Sequence, residues 1–179
     1  MKYNKAVIVD LECACWPEPD VPTGEIIEIG VCLFDKGELS KKESILVKPL
    51  NPDISTFCTE LTGHTWKELK SNGAVLYEAI NRLKKNYPLM SYPWISWGDF
   101  DRITFVNECS RKGIEYPFGR CHINLKAVYG LLKGHAKGFG VARALKDLGL
   151  EFEGRPHHGA DDAYNIGRIL REIQNRWPA

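Results

Sequence analysis

No stretch of this sequence is long and apolar enough to cross a bilayer. Runs such as Ala6-Val7-Ile8-Val9 and Val31-Cys32-Leu33-Phe34 fall far short of the ~20 residues that a spanning helix needs. An apolar signal core and a small-residue cleavage site are also missing, since Met1-Lys2-Tyr3-Asn4-Lys5 leads straight into a strand-like run that ends in acids. A cytoplasmic chain with no membrane partner is therefore expected. The six cysteines, Cys13, Cys15, Cys32, Cys58, Cys109 and Cys121, lack paired C-x-x-C spacing, which argues against a disulfide framework. The one-residue step from Cys13 to Cys15 is not that of a structural zinc site. Excess charge of one sign is lacking too: the net charge is +1 over 179 residues, with 44% hydrophobic and 26% charged. That balance excludes a disordered or collagen-like chain and describes one ordinary soluble domain. Folding at this length buries roughly 70% of the unfolded surface, so a core forms without staples.

The neutral total conceals an asymmetry. Residues 1–79 hold 8 basic against 13 acidic side chains, and residues 80–179 hold 16 against 10. A basic C-terminal half suits contact with an anionic polymer, but solvated helix faces are the simpler explanation, and charge by itself does not settle the partner.

Periodicity organises the chain. Ala6 to Glu12 and Glu25 to Asp35 read as strands, Asp35-Lys36-Gly37-Glu38 as a turn, and Leu39 to Lys48 as a returning strand stopped by Pro49. These three form an antiparallel meander. Helical patterns follow over Ser55 to Leu61, Trp66 to Leu69 and Ala74 to Lys85. Tyr92 to Trp97 is a fourth strand, Arg102 to Lys112 a helix closed by Gly113, and Cys121 to Asn124 a short fifth strand. Helices over Leu125 to Leu132, Val141 to Leu148 and Asp161 to Trp177 complete the chain. The expected class is α/β: a mixed five-stranded sheet with flanking helices. The longest irregular piece, Cys13 to Gly24 with three prolines, lies beside a strand end, where functional loops concentrate.

Three acidic motifs stand at element ends. Asp10-Leu11-Glu12 closes the first strand, and a period of two puts both carboxylates on one face. Adjacent acids repel unless a cation held by oxygen ligands offsets the repulsion; the plain alternative is a fraying strand end with solvated acids. In Trp97-Gly98-Asp99-Phe100-Asp101 a strand runs through glycine into acids at a helix start, where a capping role competes with a ligand role. The third motif is Pro156-His157-His158-Gly159-Ala160-Asp161-Asp162-Ala163. On a helical wheel Ile166, Ile169 and Ile173 form the apolar stripe and Asp162 falls at its edge, so periodicity selects Asp162 as the functional acid. Asp161 points away, as an exposed first-turn acid complementing the helix dipole.

In this order and spacing the motifs resemble those of the DEDDh, or DnaQ-like, 3'-to-5' exonucleases. The likeness covers nearly the whole chain, residues 1–179 as a single exonuclease domain. Four blocks in order, Asp10-Leu11-Glu12-Cys13-Ala14-Cys15, Glu25-Ile26-Ile27-Glu28-Ile29-Gly30, Phe57-Cys58-Thr59-Glu60-Leu61-Thr62-Gly63 and Gly154-Arg155-Pro156-His157, are similar to the branch of histone-mRNA and small-RNA exoribonucleases. The nucleic-acid-binding domain that often precedes the nuclease in animal members is not expected here.

The resemblance implies an RNase H-like fold. It implies that Asp10, Glu12, Asp101 and Asp162 hold two Mg²⁺ or Mn²⁺ ions, with His157 as general base. An imidazole, with an ordinary pKa near ~6.5, suits proton removal at neutral pH. The implied reaction releases nucleoside 5'-monophosphates from single-stranded RNA or DNA 3' ends, RNA favoured. The aromatic-Asp pair Phe100-Asp101 supports Asp101, with Asp99 as its rival; the five-residue step to Asp162 supports His157, with His158 as its rival. Leu61 and Thr62 correspond to a segment that in the family lies against the terminal nucleotide, while Gly63 also suits a plain helix cap. Trp16, four residues past Glu12, either stacks on a base or packs beneath the proline-rich loop. An RNase H-type endonuclease and a catalytically silent nucleic-acid-binding regulatory domain stay open as alternatives.

Overall fold

The computed structural model describes residues 4–21, 23–135 and 139–177. The Cys13 to Gly24 loop is irregular as expected, although its third proline, Pro22, lies outside the described residues.

Strand β1 (Lys5–Cys13) is the axis of the sheet. Its alternation sorts side chains to two faces: Val7, Val9 and Leu11 enter one core cluster, and Ala6 and Ile8 enter another. Strand β2 (Ile26–Asp35) pairs antiparallel with β1, placing Asp10 opposite Gly30 and Glu12 opposite Glu28. The expected third strand returns along β2 in two pieces, β3 (Glu38–Leu39) and β4 (Glu43–Leu46). The register explains the split. Leu39 faces Phe34 whereas Glu43 faces Val31, so one extra residue is inserted, and Ser40 fills the gap by accepting Leu33 N–H on its hydroxyl at 2.8 Å. The meander is therefore present with a bulge in its outer strand.

On the other edge, β5 (Trp94–Ser96) and β6 (His122–Asn124) run parallel to β1, giving a mixed sheet in the order β3-β2-β1-β5-β6, with β4 also on β2. Helices cover both faces. Residues of α3 (Leu76–Asn86) and α4 (Phe100–Lys112) pack on the Val7 face; those of α5 (Leu125–Leu132), α6 (Val141–Asp147) and α7 (Gly159–Arg176) pack on the Ile8 face. The short helices α1 (Thr56–Thr62) and α2 (Trp66–Asn72) add a smaller cluster around Ile27, Cys58 and Leu69. All six cysteines are free thiols. Among the described residues no helix is long and apolar enough to cross a membrane.

Gly30 sets how closely α7 approaches the sheet. A β-carbon there would lie 1.9 Å from the Gly159 carbonyl carbon, so only glycine lets the first turn of α7 rest on β2.

Candidate active site

Because β1 and β5 are parallel, their C-terminal ends open side by side, the usual place for a ligand in an open α/β sheet. Acids converge there from separate elements. Asp10 and Glu12 continue the Ala6 and Ile8 face of β1 beyond its apolar part. Asp162 arrives from the first turns of α7, and one carboxylate oxygen from each of Asp10, Glu12 and Asp162 lies within 4.8 Å of the others. Asp101 arrives from the start of α4, and its Oδ1 accepts Leu11 N–H at 2.9 Å across the middle of the Asp10–Glu12 pair. These four acids and His157 line one cavity of about 320 Å³, whose walls include Leu61, Trp97, Phe100 and Val141.

Burial and crowding act in one direction on these acids. Loss of solvent raises Asp10 well above the usual carboxylate range, reinforced by Asp101, Asp162 and Glu12. Burial followed by repulsion from Asp162, Glu28 and Asp101 pushes Glu12 up to about 8. Asp101 and Asp162 are each raised to about 6 by burial, against hydrogen bonds to Leu11 and to the His157 and His158 backbone that favour the ionised form.

The consequence for stability has a definite sign. Folded carboxyls with raised pKa keep protons that the unfolded chain has already lost above pH ~4, so the stability they provide is full at low pH and is lost as pH rises through 6 to 8. His64, raised by its bonds to Glu28 and Glu68 in spite of burial, slopes the same way near neutrality. In EDTA the melting temperature should therefore be higher at pH 5 than at pH 8. Magnesium should raise it far more at pH 8, where the acids are free to bind a cation. Thermal melts at the two pH values check this, and an EDTA melting point that climbs toward pH 8 would contradict it.

The rival residues occupy different environments. Asp101 is 4% exposed and inside the cavity, whereas the Asp99 side chain is 50% exposed, makes no capping bond to α4, and instead accepts from Asn124 Nδ2 at 2.8 Å. His157 lies on the cavity, exposed, in a turn where its own φ is +59°. A left-handed non-glycine residue costs roughly 1–2 kcal/mol, and such strain collects where a side chain must be aimed. His158 turns away from the cavity, toward Glu28 and Asp161.

Three further side chains stand outside the cavity. Thr62 is 1% exposed, and its hydroxyl is used inside the helix terminus, donating to the Cys58 carbonyl at 2.9 Å and accepting from His64 N–H at 3.2 Å. It does not line the cavity; of that pair only Leu61 does. Gly63 is the αL cap of α1, with φ +85° and its N–H on the Thr59 carbonyl at 2.8 Å. Trp16 packs partly buried beside Ala14, Ile27, Cys58 and Leu69 and is not among the lining residues. Asp161 is largely covered instead of exposed: it pairs with Lys42 and accepts Arg155 N–H at 2.9 Å, and these partners outweigh burial to hold its carboxyl below the usual range.

One organising residue escaped the motif reading. Glu28 is fully buried, and its carboxylate accepts the N–H groups of Gly159 at 3.0 Å and Ala160 at 3.2 Å, which satisfies the start of α7. His64 Nε2 lies 2.7 Å from the same carboxylate. Although burial opposes ionisation, His64, Ser44 and His158 bring Glu28 down to about 2. A glutamate inside the apolar run Ile26-Ile27-Glu28-Ile29 was the available signal, because an acid in a central strand needs dedicated partners.

Comparison with known proteins agrees with this architecture. The RNase_T family model, described as exonuclease, matches residues 7–170. The 3'-5' exonuclease Snipper of Drosophila melanogaster is 30% identical over 194 residues, covering 94% of this chain and 68% of the relative. The human 3'-5' exoribonuclease 1 is 31% identical over 186 residues, covering 97% of this chain and 53% of the relative. The chain spans 28% of the length of ERI1 exoribonuclease 2 of Xenopus laevis. Among solved structures, the nuclease domain of 3'hExo, a DEDDh family member bound to rAMP, superimposes with a TM-score of 0.84 at 28% identity, covering 98% of this chain and 94% of that one.

Proposed function

Since this chain belongs to the exonuclease family, with the RNase H-like fold of its DEDDh members, we propose that it is a single exonuclease domain that removes nucleotides from the 3' ends of single-stranded nucleic acid, RNA in preference to DNA. The observation that carries this reading is the convergence of Asp10, Glu12, Asp101, Asp162 and His157 on one cavity at the ends of β1 and β5.

The donor set fits divalent cations. Every candidate ligand is a carboxylate oxygen, the chemistry of Mg²⁺ and Mn²⁺. Burial, reinforced by repulsion from Asp162, Glu28 and Asp101, pushes Glu12 up to about 8, and bound cations would offset both. Asp10, Glu12, Asp101 and Asp162 would hold a pair of them. When bound, such ions supply positive charge to the scissile phosphate and to the attacking and leaving oxygens. The side chains do the rest. His157 accepts the proton of the attacking water from its turn above the acids, while Asp162 stays anchored in α7. Leu61 and Phe100 offer apolar walls to the terminal base, and the product is a nucleoside 5'-monophosphate. The human relative's name, exoribonuclease, and the rAMP held by the 3'hExo nuclease domain support the preference for RNA.

The deciding experiment compares 5'-labelled single-stranded RNA and DNA of one sequence with Mg²⁺, Mn²⁺ or EDTA. A metal-dependent ladder shortening from the 3' end, faster on RNA and blocked by a 3'-terminal protecting group, is expected. Internal cuts in the 3'-blocked strand would instead indicate an endonuclease. Intact strands, despite stabilisation of the protein by metal, would indicate a binding domain.

A further inference from the structure

Behind the cavity a second cluster has different chemistry. Glu28, His64 and His158 each offer one ligand atom, and the three atoms lie within 4.8 Å of one another. Glu28 comes from β2, His64 from the connection between α1 and α2, and His158 from the cap of α7 beside His157. Two imidazoles and a carboxylate form a donor set that transition metals prefer and Mg²⁺ does not.

The gap on the His158 side has the width of an ion's ligand shell, whereas the His64 side is closed by a direct hydrogen bond to Glu28. Nitrogen and oxygen ligands at about 2.0–2.2 Å from tetrahedral zinc stand roughly 3.3–3.5 Å from each other. Here His64 Nε2 is 2.7 Å and His158 Nδ1 is 3.8 Å from oxygens of the same Glu28 carboxylate. The His158 Nδ1 atom is buried without a hydrogen-bond partner, although the residue's side chain is 34% exposed. The carboxylate oxygens that face it, Glu28 Oε1 at 3.8 Å and Asp161 Oδ2 at 3.6 Å, are too far for a hydrogen bond and at a distance an interposed cation spans. The other nitrogen of His64, Nδ1, faces Glu68 Oε2 at 3.5 Å, the outer carboxylate that commonly orients a ligating histidine.

We propose that Glu28, His64 and His158 form a transition-metal site, taking Zn²⁺ in preference to Mg²⁺, separate from the carboxylate cavity. The ion replaces the proton that His64 Nε2 shares with Glu28, and that proton passes to solvent. Zn²⁺ so held ties β2 and the α1–α2 connection to the turn that carries His157. The inference concerns ligand chemistry and is independent of nuclease activity.

The test is calorimetric titration of Zn²⁺ alone into the Asp10→Ala protein in excess Mg²⁺, which occupies the remaining cavity acids. One Zn²⁺ per chain is expected, with affinity weakened about a hundredfold or more by His158→Ala, a change at the half-buried cap of α7. His64→Gln, which keeps a donor toward Glu28, should weaken it similarly. Replacing Zn²⁺ by Co²⁺ should give visible ligand-field absorption that both histidine variants lose. No binding in excess Mg²⁺ would overturn the site, and so would binding or absorption that persists in folded His158→Ala and His64→Gln proteins.

Discussion

Asp10→Ala should leave the fold intact and remove nearly all exonuclease activity, a fall of about a thousandfold or more in turnover. Asp10 sits among Glu12, Asp101 and Asp162, and in the proposed mechanism it is a direct cation ligand. A metal supplies several kcal/mol of transition-state charge stabilisation, and about 4 kcal/mol already corresponds to three orders of magnitude. The substitution has an opposite effect on stability. It removes a buried carboxyl repelled by four others, so the metal-free variant should melt above the wild type at pH 8, where the remaining acids are otherwise most strained. Turnover on labelled RNA, with paired melts in EDTA, reads both effects. Activity within about tenfold of wild type would remove Asp10 from the mechanism, and a lower metal-free melting point would show that the acids are not in conflict.

His157→Ala should lower turnover about a hundredfold to ten-thousandfold, the usual contribution of a positioned general base, while Mg²⁺ still stabilises the protein nearly as well as it stabilises wild type. The split follows from position. His157 lines the cavity from the turn, whereas the acids that would bind metal stand on β1, α4 and α7. Losing the imidazole also relieves the left-handed backbone only if the replacement prefers it, which alanine does not, so Tm should change little. His158→Ala should cost turnover far less, because that ring faces Glu28 and Asp161. The measurement is kcat for the two variants beside the Mg²⁺ dependence of melting. If His158→Ala proved the more damaging, the proton acceptor would be the second histidine.

Much of the fold was legible because its signals are local. The continuous apolar run Ala6-Val7-Ile8-Val9 marks a strand that is buried on both faces, whichever elements cover it. The Ile166, Ile169 and Ile173 stripe defines the buried face of α7 in the same way. The outer meander strand was harder. Its bulge at Ser40 depends on the pairing register with β2, which no single-strand pattern encodes. Asp161 shows the same limit, since its cover comes from Lys42, 119 residues away.

By itself the sequence determined the order and kind of elements, the acids at strand ends and helix starts, and a short list of candidates for each role. Which of those side chains share the cavity was decided by tertiary structure alone. Asp101 enters the cavity because its carboxylate meets Leu11 N–H, 90 residues away, while Asp99 stays at the surface. Thr62 is withdrawn by the carbonyl of Cys58, and Trp16 by a small core formed from several elements. Glu28 became visible only when its carboxylate was found at the start of α7, 131 residues later in the chain. The physical reason is common to all four. Secondary structure follows from short-range periodicity, whereas burial, hydrogen-bond partners and side-chain direction are set by which distant segments the sheet brings together.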